Sequence, residues 1–398
     1  MHSKKATHQH TKEHNRNLVL KNIFEHEVIS RAELSRITGL TRTTVSEIVA
    51  EILEEGLALE VGIGESAGGK SPILLSLAKD SRHIIGLDIA QDHFRGALVN
   101  LRGEIKKMVS TPVAERFGAK PLTQIFEVLD QLVEASDQPL VGIGVGTPGL
   151  VNTAEGMVIN AVNFDWKDYP LAHILRERYE LPVFIYNDSQ AAAMGEYLYG
   201  KYNLKGDNLI VINAGYGIGS GLIINGRLFQ GDGGGAGEIG HVVVLPQGGA
   251  QCRCGHHGCL ETVSSTQAIL RQVRENPALS RRFAEPITLD EIVEAYQQGD
   301  EDIREMVFNA AYYMGRAVAA LVGTLDIHQI VFVGEMTRFG EPWLEVIRQT
   351  MREFSLSRLA QSTEVEIGKL GSNATLLGAV AMLVSNYSLL FGHRFRSK

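Results

Sequence analysis

Three cysteines and one histidine form the most distinctive cluster of metal-binding side chains in this sequence. Cys252, Cys254 and Cys259 are the only cysteines in the chain, and His241 lies eleven residues before the first of them. Three thiolates and one imidazole complete the tetrahedral shell that zinc adopts in structural sites. The spacing therefore predicts one zinc ion per chain, bound by His241, Cys252, Cys254 and Cys259.

Two other interpretations of the cysteines remain open at this point: three free thiols in a core, or a disulfide. Free cysteines rarely cluster so tightly when none occurs elsewhere, and a disulfide would leave one of the three thiols over. Gly255 and Gly258 allow the tight turns that aim three sulfur atoms at one point. A shell of four protein ligands has no open position for water, so we expect the zinc to be structural.

Length and composition describe a multidomain globular protein. The chain has 398 residues, of which 44% are hydrophobic and 21% charged. It has no apolar run of the roughly 18 residues that a membrane span needs. The polar start, Met1 to Lys5, lacks the apolar region of a secretory signal, so we expect a cytoplasmic protein without membrane insertion.

The charge is unevenly distributed. The net charge of −8 argues against a surface covered by nucleic acid, but residues 1–46 hold eight Lys or Arg against four Glu. Residues 47–65 then carry six Glu and no Lys or Arg. A basic face limited to one small domain suits DNA binding, and a solvated tail is the alternative.

The pattern of the first 60 residues favours a helix-turn-helix. Apolar residues share one helical face between Asn17 and Glu25. Ser30 and Glu33 form a capping box, so a second helix begins at Arg31, and Gly39 ends it. A third helix begins near Thr41, and its apolar stripe consists of Val45, Ile48, Val49, Ile52 and Leu53. Two short helices joined by a turn that contains glycine are typical of this motif.

The polar start of the third helix is the predicted surface for reading DNA. Recognition helices present their base-reading side chains at this end, and here these are Arg42, Thr43, Thr44 and Ser46. Residues 57–63 and 73–77 predict a hairpin with a Gly-rich tip, the wing of a winged helix, and Lys70 at the tip is placed to contact a phosphate. We therefore predict a DNA-binding domain at residues 1–80. A three-helix domain that binds protein is the alternative.

From about residue 83 the pattern changes to α/β. A helix is predicted at residues 121–135, and strands are predicted at 84–90, 94–100, 104–110, 140–145, 209–214, 221–225 and 227–230. The order of a strand followed by a hairpin occurs twice. This repeat predicts two similar lobes around a cleft.

The chain resembles the ROK family, which joins sugar kinases with transcriptional repressors, from residue 17 to about 384. The resemblance rests on the segment Gly234–His241, the Cys252–Cys259 cluster with Leu260 and Glu261, the Asn187-Asp188 pair, and the winged helix in front. It implies an actin-like, hexokinase-like α/β fold of two lobes. The first lobe would comprise residues 81–195 plus 380–398, and the second, with the zinc site, residues 196–379. Kinase members lack the DNA-binding domain, so its presence indicates the repressor branch.

The resemblance also implies a sugar site. Asn163 matches the asparagine that bonds a sugar hydroxyl, and Asp188 matches the general base of the kinases. Glu238, His241 and Glu261 match the remaining polar ring. Carboxylates and amides in a cleft suit a disc of hydroxyl groups, since each can bond two adjacent ones. His241 would bind zinc through one ring nitrogen and leave the other for a sugar hydroxyl.

The loops that bind nucleotide in the kinases are altered in this chain. The first kinase loop reads Asp-x-Gly-Gly-Thr, where this chain has Asp88-Ile89-Ala90-Gln91-Asp92. Tyr216 stands where kinases carry threonine, and Gly334-Glu335 replaces a glycine pair. A backbone cradle for phosphate needs glycine and available N–H groups. We therefore predict no kinase activity, with Asp188 a remnant of the catalytic position.

These observations predict a sugar-responsive transcriptional repressor of genes for carbohydrate uptake or metabolism. We expect it to bind operator DNA as a homodimer or tetramer and to be released by a sugar or sugar phosphate in the cleft. Two alternatives stay open. One is an active sugar kinase with a DNA-binding domain, and the other is a regulator controlled by a protein of a sugar-transport system.

Overall fold

The structure is a computed structural model that describes residues 8–65, 71–204, 206–386 and 390. Its N-terminal unit combines three helices with a small sheet in strand order β1-β3-β2. The elements are α1 (His8–Glu25), β1 (Ile29–Ser30), α2 (Arg31–Thr38), α3 (Arg42–Glu54), β2 (Ala58–Ile63) and β3 (Ile73–Leu77). The predicted helix pair and hairpin are present.

Local capping explains where these helices begin and end. Ser30 and Glu33 form the predicted capping box of α2, and Gly39 ends α2 in a left-handed conformation with φ 71°. The Thr41 hydroxyl caps α3, whose Val45, Ile48, Val49 and Ile52 are buried, whereas Leu53 is only partly buried. The apolar stripe is therefore confirmed except at its last position.

Helix α1 is longer than its apolar pattern indicated. It begins at His8, whereas the periodicity started at Asn17, because the polar residues before Asn17 carry no apolar signal. Ion pairs attach this polar part to α3: Lys12 Nζ lies 2.7 Å and Arg16 Nε 3.2 Å from the Glu51 carboxylate. These ion pairs with α3 stabilise the first half of α1, for which the sequence pattern gave no indication of a helix.

The first lobe contains a five-stranded sheet in the order β11-β7-β4-β5-β6. A three-stranded antiparallel sheet, β10-β9-β8, stands beside it. The elements are β4 (His83–Ile89), β5 (His93–Asn100), β6 (Ile105–Pro112), α4 (Lys120–Glu134), β7 (Leu140–Thr147), β8 (Leu150–Asn152), β9 (Met157–Ala161), a 3₁₀ turn (Val162–Phe164), β10 (Trp166–Tyr169), α5 (Leu171–Tyr179), β11 (Val183–Asn187) and α6 (Asp188–Tyr199).

The second lobe contains another five-stranded sheet, in the order β14-β13-β12-β15-β16. Its strands are β12 (Leu209–Ala214), β13 (Ile218–Ile224), β14 (Arg227–Phe229), β15 (Gln329–Val333) and β16 (Glu364–Ile367). Its helices are α7 (Glu261–Ser264), α8 (Thr266–Glu275), α9 (Pro277–Ser280), α10 (Leu289–Gln297), α11 (Glu301–Leu325), α12 (Gly340–Phe354) and α13 (Ser357–Ser362), with 3₁₀ turns at Ile239–His241, Glu335–Phe339 and Gly371–Asn373. The last helix, α14 (Ala374–Val384), returns to the sheet of the first lobe.

The two large sheets have the same topology. In each sheet, the first three strands along the chain pair with one another in an antiparallel hairpin series. The fourth strand pairs in parallel with the other edge of the first strand, and the fifth strand pairs in parallel with the fourth. The prediction of two similar lobes is confirmed. All strands of the first large sheet fall within residues 81–195 and those of the second within 196–379, while the domain boundaries themselves stay predictions.

Helix α14 packs closely on the first sheet and on α6. A Cβ on Gly378 would lie 1.8 Å from the Ala191 carbonyl oxygen of α6, and one on Gly144 of β7 would lie 2.2 Å from the Ala379 carbonyl oxygen. Such distances leave room for glycine alone. The backbones of α6, α14 and β7 therefore meet without intervening side chains.

The core of the N-terminal unit continues into the first lobe. Val49 and Ile52 of α3 belong to the same cluster of buried apolar residues as Val380 and Leu383 of α14. Arg82 donates a hydrogen bond of 2.9 Å to the Glu55 carbonyl oxygen, and Arg102 donates to the carbonyl oxygens of Phe24 and His26. These contacts tie the N-terminal helices to the α/β region.

Among the described residues, no helix combines the length and the apolar character that a transmembrane span requires.

Candidate effector cleft and metal centre

The four predicted metal ligands converge on one point. Their ligand atoms all lie within 4.8 Å of one another. His241 Nδ1 is 3.5 Å from Cys252 Sγ, and Cys254 Sγ is 3.6 Å from Cys259 Sγ. A tetrahedral zinc ion with bonds of about 2.3 Å to sulfur sets neighbouring ligand atoms about 3.5–3.8 Å apart. The residues present therefore fit a four-coordinate metal of the size of zinc.

The loop that carries the cysteines is shaped by backbone contacts. Cys252 N–H donates 2.7 Å to the His256 carbonyl oxygen, and a Cβ on Gly258 would lie 1.7 Å from the Leu245 carbonyl oxygen. Burial raises the pKa of the Cys259 thiol to about 12, whereas the backbone N–H of His256 lowers the pKa of Cys254 to about 6. Three thiols with such different pKa values must all lose their protons to bind a metal, so metal binding here is coupled to proton release.

Contacts and charge interactions connect the five predicted sugar ligands into one group. Asn163 lies in the 3₁₀ turn before β10, and Asp188 is the first residue of α6. Glu261 is the first residue of α7. Glu238 directly precedes the 3₁₀ turn Ile239–His241, His241 ends that turn, and Glu238 Oε2 lies 3.8 Å from His241 Nε2. His241 thus turns Nδ1 toward Cys252 and Nε2 toward Glu238, and its role as a sugar ligand stays a prediction.

Arg253 joins this ring, and sequence reasoning missed it. The residue stands between Cys252 and Cys254, and its guanidinium donates 2.6 Å to Asn163 Oδ1 and 2.7 Å to Glu261 Oε1. Glu261 is buried, and its second oxygen accepts from the Ile218 N–H at 3.0 Å. The only available signal was an arginine inside the cysteine cluster. Nothing in its spacing indicated that its partner would be Asn163, 90 residues away in the sequence.

The pKa of Asp188 is raised to about 7. Burial is the main cause, and the carboxylates of Asp88 and Glu238 add to it, while hydrogen bonds from Ser189 act in the opposite direction. Burial likewise raises the pKa of Glu238. With a pKa near 7, the Asp188 carboxyl group can both donate and accept hydrogen bonds near neutral pH, which suits hydroxyl ligands.

The altered nucleotide loops lie beside this ring. Burial raises the pKa of Asp88, whose Oδ2 is 3.5 Å from Arg95 Nη2, and Asp92 pairs with His93 at 2.7 Å. Burial and Asp92 both raise the pKa of Glu335. A third carboxylate, Asp188, is close enough to Asp88 to feel its charge. The region that cradles phosphate in kinases is therefore lined by acidic groups here.

Tyr216 also changes this region. Gln267 Nε2 donates 2.9 Å to the Tyr216 hydroxyl, and the Arg253 guanidinium lies 5.8 Å from the centre of the tyrosine ring. The side chain that replaces the kinase threonine is thus held between α8 and the metal loop.

Four of the five predicted DNA-contacting residues lie at the start of α3. Arg42, Thr43 and Ser46 are exposed at the start of α3. Thr44 is only half-exposed, because its hydroxyl lies 2.9 Å from that of Thr41, and its N–H is capped by the same hydroxyl. Lys70 lies outside the described residues. The DNA role of all five stays a prediction.

The fold and the cleft define an actin-like, hexokinase-like α/β protein of two lobes, preceded by a helical unit. The family model described as "ROK family" matches residues 84–386, and this chain belongs to the ROK family.

Known proteins similar to the chain include regulators and kinases. A xylose repressor of Caldicellulosiruptor bescii is 33% identical, with 96% of this chain and 98% of the repressor covered. A glucokinase of Halalkalibacterium halodurans is 34% identical but covers 75% of this chain and 93% of its own length. The crystal structure of a ROK family transcriptional regulator, homologous to the Escherichia coli Mlc protein, superimposes with TM-score 0.82 at 28% identity, over 96% of this chain and 98% of that one.

Proposed function

We propose that this protein is a sugar-responsive DNA-binding transcriptional regulator, a repressor of genes for carbohydrate uptake or metabolism. The N-terminal helix-turn-helix and its wing bind operator DNA. A sugar or sugar derivative in the cleft between the lobes releases the protein from the operator. The similarity to a xylose repressor over almost the full length of both chains supports this function.

The observation that carries the proposal is a continuous packed path between the cleft and α3. Asp188 is the first residue of α6, and α6 meets α14 backbone to backbone at Ala191 and Gly378. Helix α14 shares a buried core with α3. Close-packed elements of this kind shift together rather than deform, so a sugar that moves α6 changes the position of the recognition helix.

Because sugar and DNA each favour one arrangement, their effects must be reciprocal. A sugar that lowers operator affinity binds less tightly to the operator-bound protein by the same factor. Zinc at His241 and the three cysteines would hold the loop that forms one wall of the cleft, and His241 belongs to both sites. A homodimer or tetramer would place two recognition helices on two operator half-sites.

An active sugar kinase is the second candidate, because a glucokinase is 34% identical to this chain. The side chains in the nucleotide region argue against it. Ala90 and Gln91 stand in place of two bare glycines, and carboxylates at Asp92 and Glu335 lie where phosphates would bind. Negative charge beside phosphate is unfavourable without a compensating cation. We therefore propose that the protein binds sugar without transferring phosphate.

Removing one sugar ligand separates regulation from catalysis. We expect Glu238→Ala to bind operator DNA as the wild type does but to need on the order of tenfold to a hundredfold more D-xylose or D-glucose for release, since one lost partner of a sugar hydroxyl costs about 1–3 kcal/mol. The measurement is fluorescence anisotropy of labelled operator during a sugar titration. Glu155→Ala, a change at an exposed position on the first lobe, is the matched control.

The same sugar titrations test the alternatives. Wild-type protein is incubated with ATP, magnesium and each sugar, and sugar phosphate is measured. Steady phosphorylation would show a kinase. If a sugar-transport protein released the operator and no free sugar did, the regulator would be controlled by a protein partner. Unchanged release in Glu238→Ala would remove Glu238 from the effector site.

A further inference from the structure

Arg253 occupies hydrogen-bonding groups that the proposed function assigns to the sugar. Its guanidinium bonds Asn163 Oδ1 on the first lobe at 2.6 Å and Glu261 Oε1 on the second at 2.7 Å. The two terminal nitrogens present N–H donors side by side, as two adjacent hydroxyl groups of a sugar ring do. Arg253 thus imitates a pair of neighbouring hydroxyls at the centre of the cleft.

The surroundings hold this guanidinium in place. The residue lies between two metal ligands, so a bound metal restrains the backbone on both sides of it. Glu261 is buried and anchored by the Ile218 N–H, and a Cβ on Gly217 would lie 2.5 Å from Glu261 Oε2 and 3.5 Å from Arg253 Nη2. The pair of Arg253 and Glu261 is therefore fitted into a space that a larger residue at position 217 would fill.

The contact also crosses the cleft. Asn163 belongs to the small sheet region of the first lobe, whereas Arg253 is carried by the cysteine loop of the second. A ligand that can bind only after the bridge between the lobes has opened has a reduced apparent affinity. Its apparent Kd equals the intrinsic Kd divided by the fraction of molecules in which the bridge is open. An anionic ligand would gain from the positive charge, but the cleft around it is acidic at Asp188, Glu238 and Glu261. The local charge therefore favours a neutral sugar that displaces Arg253.

We propose that Arg253 is an internal competitor for the effector site: it bridges Asn163 and Glu261 in the free protein, and a neutral sugar with adjacent hydroxyls replaces it. This inference rests on the proposed sugar response. Arg253 sets the effector concentration at which the regulator responds. It also connects the metal loop to the cleft, because the metal ligands on either side of it restrain the competitor.

Sugar affinity is the first test. Arg253→Met retains the aliphatic stem and removes all N–H donors, and Arg253→Lys retains the charge but lacks the fork that spans two acceptors. We expect Arg253→Met to bind D-xylose or D-glucose about tenfold more tightly in calorimetric titrations, with Arg253→Lys in between. Arg178→Met is the matched control, because Arg178 pairs with Asp130 on the surface of the first lobe. Zinc content per chain, measured for every variant, verifies an intact metal loop.

A second measurement detects the bridge without any sugar. Thermal unfolding of wild type, Arg253→Met, Asn163→Ala and the double variant forms a double-mutant cycle. We expect the double variant to lose less Tm than the two single variants together, because each single change already breaks the bridge.

The two measurements distinguish the possible failures. Additive Tm changes would show that there is no bridge and overturn the inference. Coupled Tm changes with weaker sugar binding in Arg253→Met would make Arg253 a sugar ligand, and unchanged sugar binding would show that Arg253 does not compete. Either result would overturn the competition and leave the proposed sugar response standing. Coupled Tm changes with no sugar binding to any variant would refute the sugar response, and the competition with it.

Discussion

Replacing Asp188 with asparagine tests the electrostatics of the cleft through the pH dependence of stability. Burial raises the pKa of Asp188 from 3.8 to about 7, with further contributions from Asp88 and Glu238. The unfolded chain therefore releases this proton at a lower pH than the folded chain does. Between these two pKa values the folded state binds more protons, so Asp188 makes the wild type less stable as the pH rises.

The size of the effect follows from the same pKa values. A shift from 3.8 to about 7 corresponds to roughly 4 kcal/mol when both states are ionised. Between pH 5 and pH 8 the change is roughly 2.5 kcal/mol. Asp188 retains some contact with solvent, so we expect about half of this value, a Tm difference on the order of 1–2 °C for a chain of this length.

The assay compares thermal unfolding of wild type and Asp188→Asn at pH 5 and pH 8 without sugar. We expect the Tm of the variant relative to the wild type to rise from pH 5 to pH 8. Asparagine can still accept from the Ser189 N–H, which lies 2.6 Å from Asp188 Oδ1, so the local hydrogen bond is preserved. A Tm difference that stays constant or falls over this range would refute the reasoning.

Asp80→Asn provides a control with the opposite sign. A hydrogen bond from Asn100 lowers the pKa of Asp80, so its stabilising effect is present above the ordinary pKa of 3.8 and is lost only below it. We expect Asp80→Asn to lower the Tm equally at pH 5 and at pH 8. If the Tm difference from the wild type changed between pH 5 and pH 8 in both variants, the cause would be a global effect of pH and not the ionisation of Asp188.

Two further predictions concern the metal and the DNA. Cys254→Ser should reduce bound zinc below one ion per chain and lower both the Tm and the sugar response, since a lost ligand removes folding energy supplied by the metal. Elemental analysis measures the zinc, and thermal unfolding measures the Tm. A metal-free protein with an unchanged Tm would contradict a structural zinc. Arg42→Ala should weaken operator binding by about 1–3 kcal/mol if Arg42 reads a base, measured by anisotropy against operator and unrelated DNA, and an equal loss on both would assign it to the phosphate backbone.

Much of the local architecture could be predicted because its signals are local. The capping box of Ser30 and Glu33 and the left-handed Gly39 are formed by residues within a few positions of each other, and α2 begins and ends where they indicate. The metal ligands were predictable for a similar reason, since three of the four lie within eight residues. Apolar runs likewise indicated four strands of the first large sheet and three of the second, but not β11, β15 or β16.

Other features could not be predicted, because their cause is distant in the sequence. The polar first half of α1 is helical because it pairs with Glu51 of α3, and its own residues carry no apolar period. The partners of Arg253 include Asn163, 90 residues away. The residues near Arg253 show no pattern from which a partner so far away in the sequence could be predicted.

The sequence by itself determined the N-terminal elements, the repeat of two lobes and the cluster of residues able to bind a metal, because capping, periodicity and ligand type depend on neighbouring residues. Only the tertiary structure decided how these parts act on one another. It packs α14 against α6 through Gly378, joins α14 to the core of α3, and brings the guanidinium of Arg253 between Asn163 and Glu261. Each of these contacts joins segments far apart in the chain, so its geometry exists only once the lobes have folded together.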